Sequence, residues 1–164
     1  MTTRNVPGYL AAAWAALFAV VHLYWLAGGR LGLPEQLSLF DNLPLLIIDI
    51  IAIPMCAVAA VLALALVCPW GRRLPRRLVL AGAWTTAAVL VVHAVPSMVD
   101  WVALAVGART PGDLTALERF ATFLYEPFFL AGGLLYLAAT LCSPLGTDRV
   151  RAGRIRSLGW RSGL

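Results

Sequence analysis

Lysine is absent from this chain: all 13 basic residues are arginine. Histidine occurs twice and cysteine three times, as Cys56, Cys68 and Cys142, and no CxxC pair is present. Charged residues fill only 13% of the 164 positions, against about a quarter in soluble domains. With 61% apolar residues and a mean hydropathy of +0.83, the composition excludes an ordinary soluble domain. The missing cysteine pair excludes a dithiol relay of the quinone-linked type, and the three thiols read as packing groups. The missing lysine reads as a mark of coding composition. The net charge of +5 reflects where the arginines stand and implies no nucleic-acid partner.

What is present is long apolar sequence. Tyr9–Leu26, Leu45–Cys68, Leu78–Val106 and Phe120–Cys142 are almost free of charge, and each is long enough to cross a hydrocarbon core of about 30 Å. Backbone groups in lipid must pair within their own segment, so these runs are expected as helices. The first is too long for a signal-peptide core. A cut after Ala27 would put Trp25 where a small residue is needed, so it is read as a span. Arg72, Arg73, Arg76 and Arg77 stand between the second and third runs, and Arg149, Arg151, Arg154, Arg156 and Arg161 follow the fourth. Juxtamembrane arginine sets orientation. The expectation is therefore an all-α polytopic membrane protein, a four-transmembrane-helix bundle with N-in, C-in topology. It is one membrane domain over 1–164, with spans of about 9–27, 44–68, 78–105 and 117–142 and a basic cytoplasmic tail, 143–164, that also carries Trp160.

The connections carry local signals. Asp41-Asn42-Leu43-Pro44 opens the second helix with proline in its first turn. Thr110-Pro111-Gly112-Asp113 is a turn, Thr115-x-x-Glu118 a capping box, and Ser143-Pro144-Leu145-Gly146 a stop. A faint repeat runs through the order His22, Asp49, His93, Glu126, with Pro54 and Pro127 following the two acids.

Ionisable residues inside the apolar runs are the functional lead. His22, Asp49, His93, Asp100 and Glu126 all fall within roughly 15 Å of the outer surface, at about 1.5 Å of rise per residue. Such groups are costly in lipid and tend to have a use. At about 100° per residue, Thr86, His93, Ser97 and Asp100 share a face of the third helix. Thr122, Glu126, Gly133 and Thr140 share one on the fourth, Asp49 lies with Cys56 and Ala63, and His22 with Ala11 and Ala15. Small residues mark helix contacts in membranes, so every ionisable group is expected to point inward. Pro54, Pro96 and Pro127 would bend the helices beside them. The structural alternative pairs His22 with Asp49, and His93 with Glu126, as interhelical hydrogen bonds. Such bonds contribute only about 0.6 kcal/mol on average.

The motif His22-Leu23-Tyr24-Trp25-Leu26-Ala27-Gly28-Gly29, with Pro127-Phe128-Phe129-Leu130-Ala131-Gly132-Gly133 in the fourth run, resembles a family of small bacterial membrane proteins catalogued only as a domain of unknown function. The resemblance implies four helices in a bacterial cytoplasmic membrane and singles out His22 and Trp25. It implies no activity.

Three functional expectations stand side by side. In the first, His22, Asp49, His93, Asp100 and Glu126 bind or transform a small lipophilic molecule by acid–base chemistry, with Trp25, Ser97 and Tyr125 touching it. In the second, a homodimer transports a small molecule with Glu126 as proton carrier and His93 as relay. In the third, His22 and His93 ligate haem. No other cofactor and no metal site is indicated, and the one partner implied throughout is the lipid bilayer. Tyr24, Trp70 and Trp101 read as an aromatic belt.

Overall fold

The computed structural model of the chain describes residues 3–34 and 37–143. The Arg-rich tail with Trp160, and most of the stop signal before it, lie outside the described residues. Within them the fold is all helical, with no strand. The elements are α1 (Val6–Leu26), α2 (Leu43–Val67), α3 (Arg76–His93), α4 (Val95–Ala105), α5 (Ala116–Phe120) and α6 (Glu126–Cys142). A widened π-turn, Ala121–Tyr125, joins α5 to α6.

The capping signals form as expected. The Asn42 side chain accepts from Leu45 N–H at 3.1 Å, with Pro44 in the first turn of α2. Thr115 and Glu118 close a reciprocal capping box at the start of α5. Three helical stretches are long and apolar enough to cross a membrane: Thr3–Leu26, Leu43–Val67 and Ala116–Cys142.

The expected third crossing, 78–105, is not one straight helix. It is α3 and α4, bent by 40° at a break around Ala94, so a fourth crossing exists only if this bent pair counts as one. The cause is Pro96, which has no N–H for the Val92 carbonyl and whose ring crowds that turn.

Packing follows residue size. α1 lies between α2 and α6, and α3 packs on α6 with a lesser contact on α2. Small residues fill the interior: Ala11 and Ala15 of α1, Ala63 of α2, Ala83 and Ala87 of α3, and Ala139 of α6. Trp14, Phe18 and Tyr136 plug the gaps between them. Large apolar residues such as Leu17, Val20, Ile51, Val58 and Val89 point outward, the distribution expected where the solvent is lipid. Arg4 Nε–H donates to the Cys142 carbonyl at 2.7 Å. The start of α1 and the end of α6 therefore share one end of the bundle.

α6 is wedged between two neighbours by adjacent glycines. A Cβ on Gly132 would fall inside the Trp14 indole. A Cβ on Gly133 would lie 2.7 Å from Val91 Cγ2, 3.1 Å from Val91 N and 3.2 Å from Ala87 O. Backbone atoms cannot step aside, so Gly133→Ala should force α3 and α6 apart and cost about 1–3 kcal/mol, the usual range for overpacking. Gly82→Ala is the control: its Cβ would meet only the Leu62 side chain, at 2.9 Å from Cδ1. Thermal unfolding in mild detergent should show a lowered midpoint for Gly133→Ala and little change for Gly82→Ala.

Candidate functional site

Four of the five ionisable residues meet as two pairs. His22 Nδ1–H donates to Asp49 Oδ1 at 2.6 Å, linking α1 to α2. His93 Nδ1–H donates to Glu126 Oε2 at 3.0 Å, linking α3 to α6. Both carboxylates thereby gain the donor that a low-dielectric interior demands.

The pairs differ in access. His22 and Asp49 are both buried, Asp49 to 2% exposure. The His22 ring is enclosed by Phe18 at 4.4 Å and by the edge of Trp25 at 5.2 Å between centroids. Asp49 Oδ2 is buried with no hydrogen-bond partner among the described residues. Glu126 is buried as well, but the His93 side chain is 51% exposed. Its ring stacks on Phe129 at 4.0 Å and 24°. The expectation that every ionisable group points inward is therefore corrected at His93. The inward face of α3 runs through Val79, Ala83 and Ala87 to Ala94, with Ala87 and Val91 against Gly133. His93, one residue before Ala94, is left at the margin.

Asp100 belongs to neither pair. It accepts from Arg109 Nη1–H at 2.5 Å, in the connection that follows α4. The bend at Ala94 takes it off the His93 face. The same loop is tied by Thr110, whose N–H and hydroxyl donate to the Asp113 carboxylate and, with Arg109 nearby, hold it below the ordinary aspartate range.

Two of the three residues expected to touch a ligand, Trp25 and Tyr125, hold a connection instead. Trp25 is buried and its indole N–H donates to Leu31 O at 2.9 Å. The Tyr125 hydroxyl donates to Gly32 O, and its ring lies 6.1 Å from Trp25. Both therefore fasten the connection between α1 and α2. Ser97 is buried on α4. Trp101 does more than mark an interface, since its indole N–H donates to the Thr122 carbonyl at 2.7 Å. Phe18 and Phe129, which drew no attention in the sequence, touch each other at 5.3 Å. The imidazoles are thus linked in series through two phenyl rings. No group of three or more metal-ligating side chains occurs among the described residues.

The sequence model of the family described as "Protein of unknown function (DUF3995)" matches residues 15–136. The chain belongs to this family. No curated protein and no solved structure matches it. The matched DUF3995 segment holds both pairs, Asp100 and the Gly132-Gly133 wedge.

Within this DUF3995 chain, His22–Gly29 has a physical explanation. α1 ends in a Schellman turn: Gly28 N–H bonds Trp25 O at 2.9 Å and Gly29 N–H bonds Tyr24 O at 2.9 Å. Gly28 sits at φ +92°, where a side chain is strained. A Cβ on Gly29 would strike the Tyr24 ring. Tyr24 and Trp25 then hold the loop, the tyrosine hydroxyl accepting from Leu31 N–H at 3.3 Å.

A buried pair is most costly when half of it is removed. His22→Ala leaves Asp49 buried and alone, and should destabilise by about 3–5 kcal/mol. The double variant His22→Leu/Asp49→Leu replaces both partners with apolar groups and should return to wild-type stability or above. Thermal unfolding of the single and double variants measures the difference. A double variant as unstable as the single would show that His22–Asp49 does more than hold α1 to α2.

Proposed function

We propose that the chain is a four-span membrane protein in which α3 and α4 make the third crossing. Its His93–Glu126 pair would be a base dyad for a small lipophilic molecule that arrives sideways from the outer leaflet. One observation carries this reading. An imidazole bonded to a buried carboxylate is left half exposed on an otherwise apolar flank. A polar ring turned toward hydrocarbon is costly, and a ligand with a polar head offsets that cost. Glu126 accepts the Nδ1 proton, which leaves the lone pair on Nε2. Histidine held this way by a carboxylate is the arrangement used to take a proton from a bound hydroxyl. Phe129 fixes the ring plane, and the exposed Val89, Val92 and Val95 offer a surface for an apolar tail. The sealed His22–Asp49 pair serves as an interhelical tie.

Protein purified in mild detergent should carry a lipid or isoprenoid detectable by mass spectrometry. His93→Ala and Glu126→Gln should retain about tenfold less, as expected for losing a hydrogen bond to a charged group. His22→Leu/Asp49→Leu should retain it in full. Equal retention by His93→Ala and wild type would sink the reading.

Orientation follows from the arginines. Arg72, Arg73, Arg76 and Arg77 favour a cytoplasmic 69–77 segment, with both chain ends on the same side and the loops at 28–42 and 107–115 outside. The localisation is then the bacterial cytoplasmic membrane. In a background without native cysteine, Ser38→Cys and Gly112→Cys should react with an impermeant maleimide on intact cells, and Arg73→Cys should not. Gly71 is unsuitable for a probe, because a Cβ there would run into the Ala65 backbone. The reverse labelling pattern would move the dyad to the cytoplasmic leaflet.

A further inference from the structure

In a regular α-helix, Glu126 N–H would bond Thr122 O. Here it bonds Ala121 O, and the next residue, Pro127, has no N–H to give. The Thr122 carbonyl is left without a helical donor, and the Trp101 indole takes it at 2.7 Å. Thr122 O thus has two candidate donors, and without the indole only Glu126 N–H could satisfy it. Glu126 N–H would close an α-turn, whereas Trp101 Nε1–H holds the wide turn open.

What lies on each side of the turn decides the consequence. α6 is fixed by Gly132 on Trp14 and Gly133 on Ala87–Val91, so it cannot rotate to absorb a change of register. Residues before Glu126 must turn instead, by about 100° for one residue. Tyr125 is among them, and its hydroxyl is bonded to Gly32 O. Gly32 follows Leu31, whose carbonyl and N–H are bonded to Trp25 and Tyr24, and Trp25 covers His22.

We propose that residues 121–125 form a two-register latch. Trp101 selects the wide register, and only in that register does Tyr125 fasten the 28–34 loop above His22. When the indole leaves, Glu126 N–H takes Thr122 O, the turn tightens and the loop is released. The latch gives α4 control over the outer end of α1, although the two helices are far apart in sequence. It operates whether or not a ligand occupies the His93 flank, so its failure and that of the base dyad are distinguishable.

Hydrogen exchange of the full-length protein in detergent, followed by mass spectrometry on the 28–34 loop, tests the latch. Tyr125→Phe removes the fastening directly and should speed exchange roughly fivefold, the effect of losing one hydrogen bond. Trp101→Phe keeps the ring and removes the donor, and should reach the same rate. Pro127→Ala restores a backbone donor, favours the regular helix, and should do likewise with Trp101 intact. Trp101→Phe/Tyr125→Phe should exchange no faster than Tyr125→Phe, since both act on one contact. Exchange in the 69–75 segment, at the other end of the bundle, should stay at the wild-type rate in all variants. Wild-type exchange of the loop in Trp101→Phe or Pro127→Ala would overturn the latch. So would additive rates in the double variant, or equal acceleration of both segments.

Discussion

A carboxylate among apolar helices must have a donor within reach. In this chain that requirement fixes which helix faces which. Asp49 and Glu126 each meet a histidine Nδ1 on a neighbouring helix. The small-residue faces bring the helices close enough for a direct bond. Alanines at the contacts of α1, α2 and α3, and glycines on α6, are the geometric condition for short polar contacts in a bundle whose exterior is large and aliphatic. The two bonds look alike but sit in different surroundings. One is buried, with Phe18 and Trp25 against its imidazole, and the other lies at the margin of α3 with its imidazole half exposed.

Proline shapes the backbone beside the open pair. Pro96 ends α3 just after His93, and Pro127 removes the donor that a regular turn beside Glu126 would use. Each break falls next to a member of the open pair. A carbonyl released by proline needs a new partner, and at Thr122 that partner is an indole from α4. The α1–α2 connection is held in the same way, by an indole and a tyrosine hydroxyl on carbonyls of Leu31 and Gly32.

Much of this was legible in the sequence. Charge-free length gave the apolar helices, Asn42 and Thr115-x-x-Glu118 gave their starts, and chemistry gave His22–Asp49 and His93–Glu126 as the pairings open to the chain. The exposure of His93 was not legible. A face computed for one straight helix over 78–105 loses its meaning once the helix breaks at Ala94, and the residues against Gly133 are Ala87 and Val91. Asp100 was grouped with His93 on that same face, but its partner is Arg109, nine positions on, which only the turn after α4 brings back. The wide turn at 121–125 left one trace, Pro127 directly after Glu126. That trace shows where a bond is missing without showing how the backbone makes up the loss. Trp25 and Tyr125 look like ligand-contacting aromatics until their polar atoms are followed to loop carbonyls.

Each histidine–carboxylate bond closes within one helical hairpin, α1 with α2 and α3 with α6, and neither joins the two halves. A nascent chain enters the membrane in that same order. The first hairpin already contains the group that satisfies its acid, so Asp49 need not wait in hydrocarbon for the rest of the protein to be made. The second hairpin likewise brings its own counter-group. The halves meet through Trp14 and Phe18 on one side and the Phe128–Gly133 segment on the other, with hydrogen bonds from the Trp14 indole to Phe128 O and from Tyr125 to Gly32 O between them.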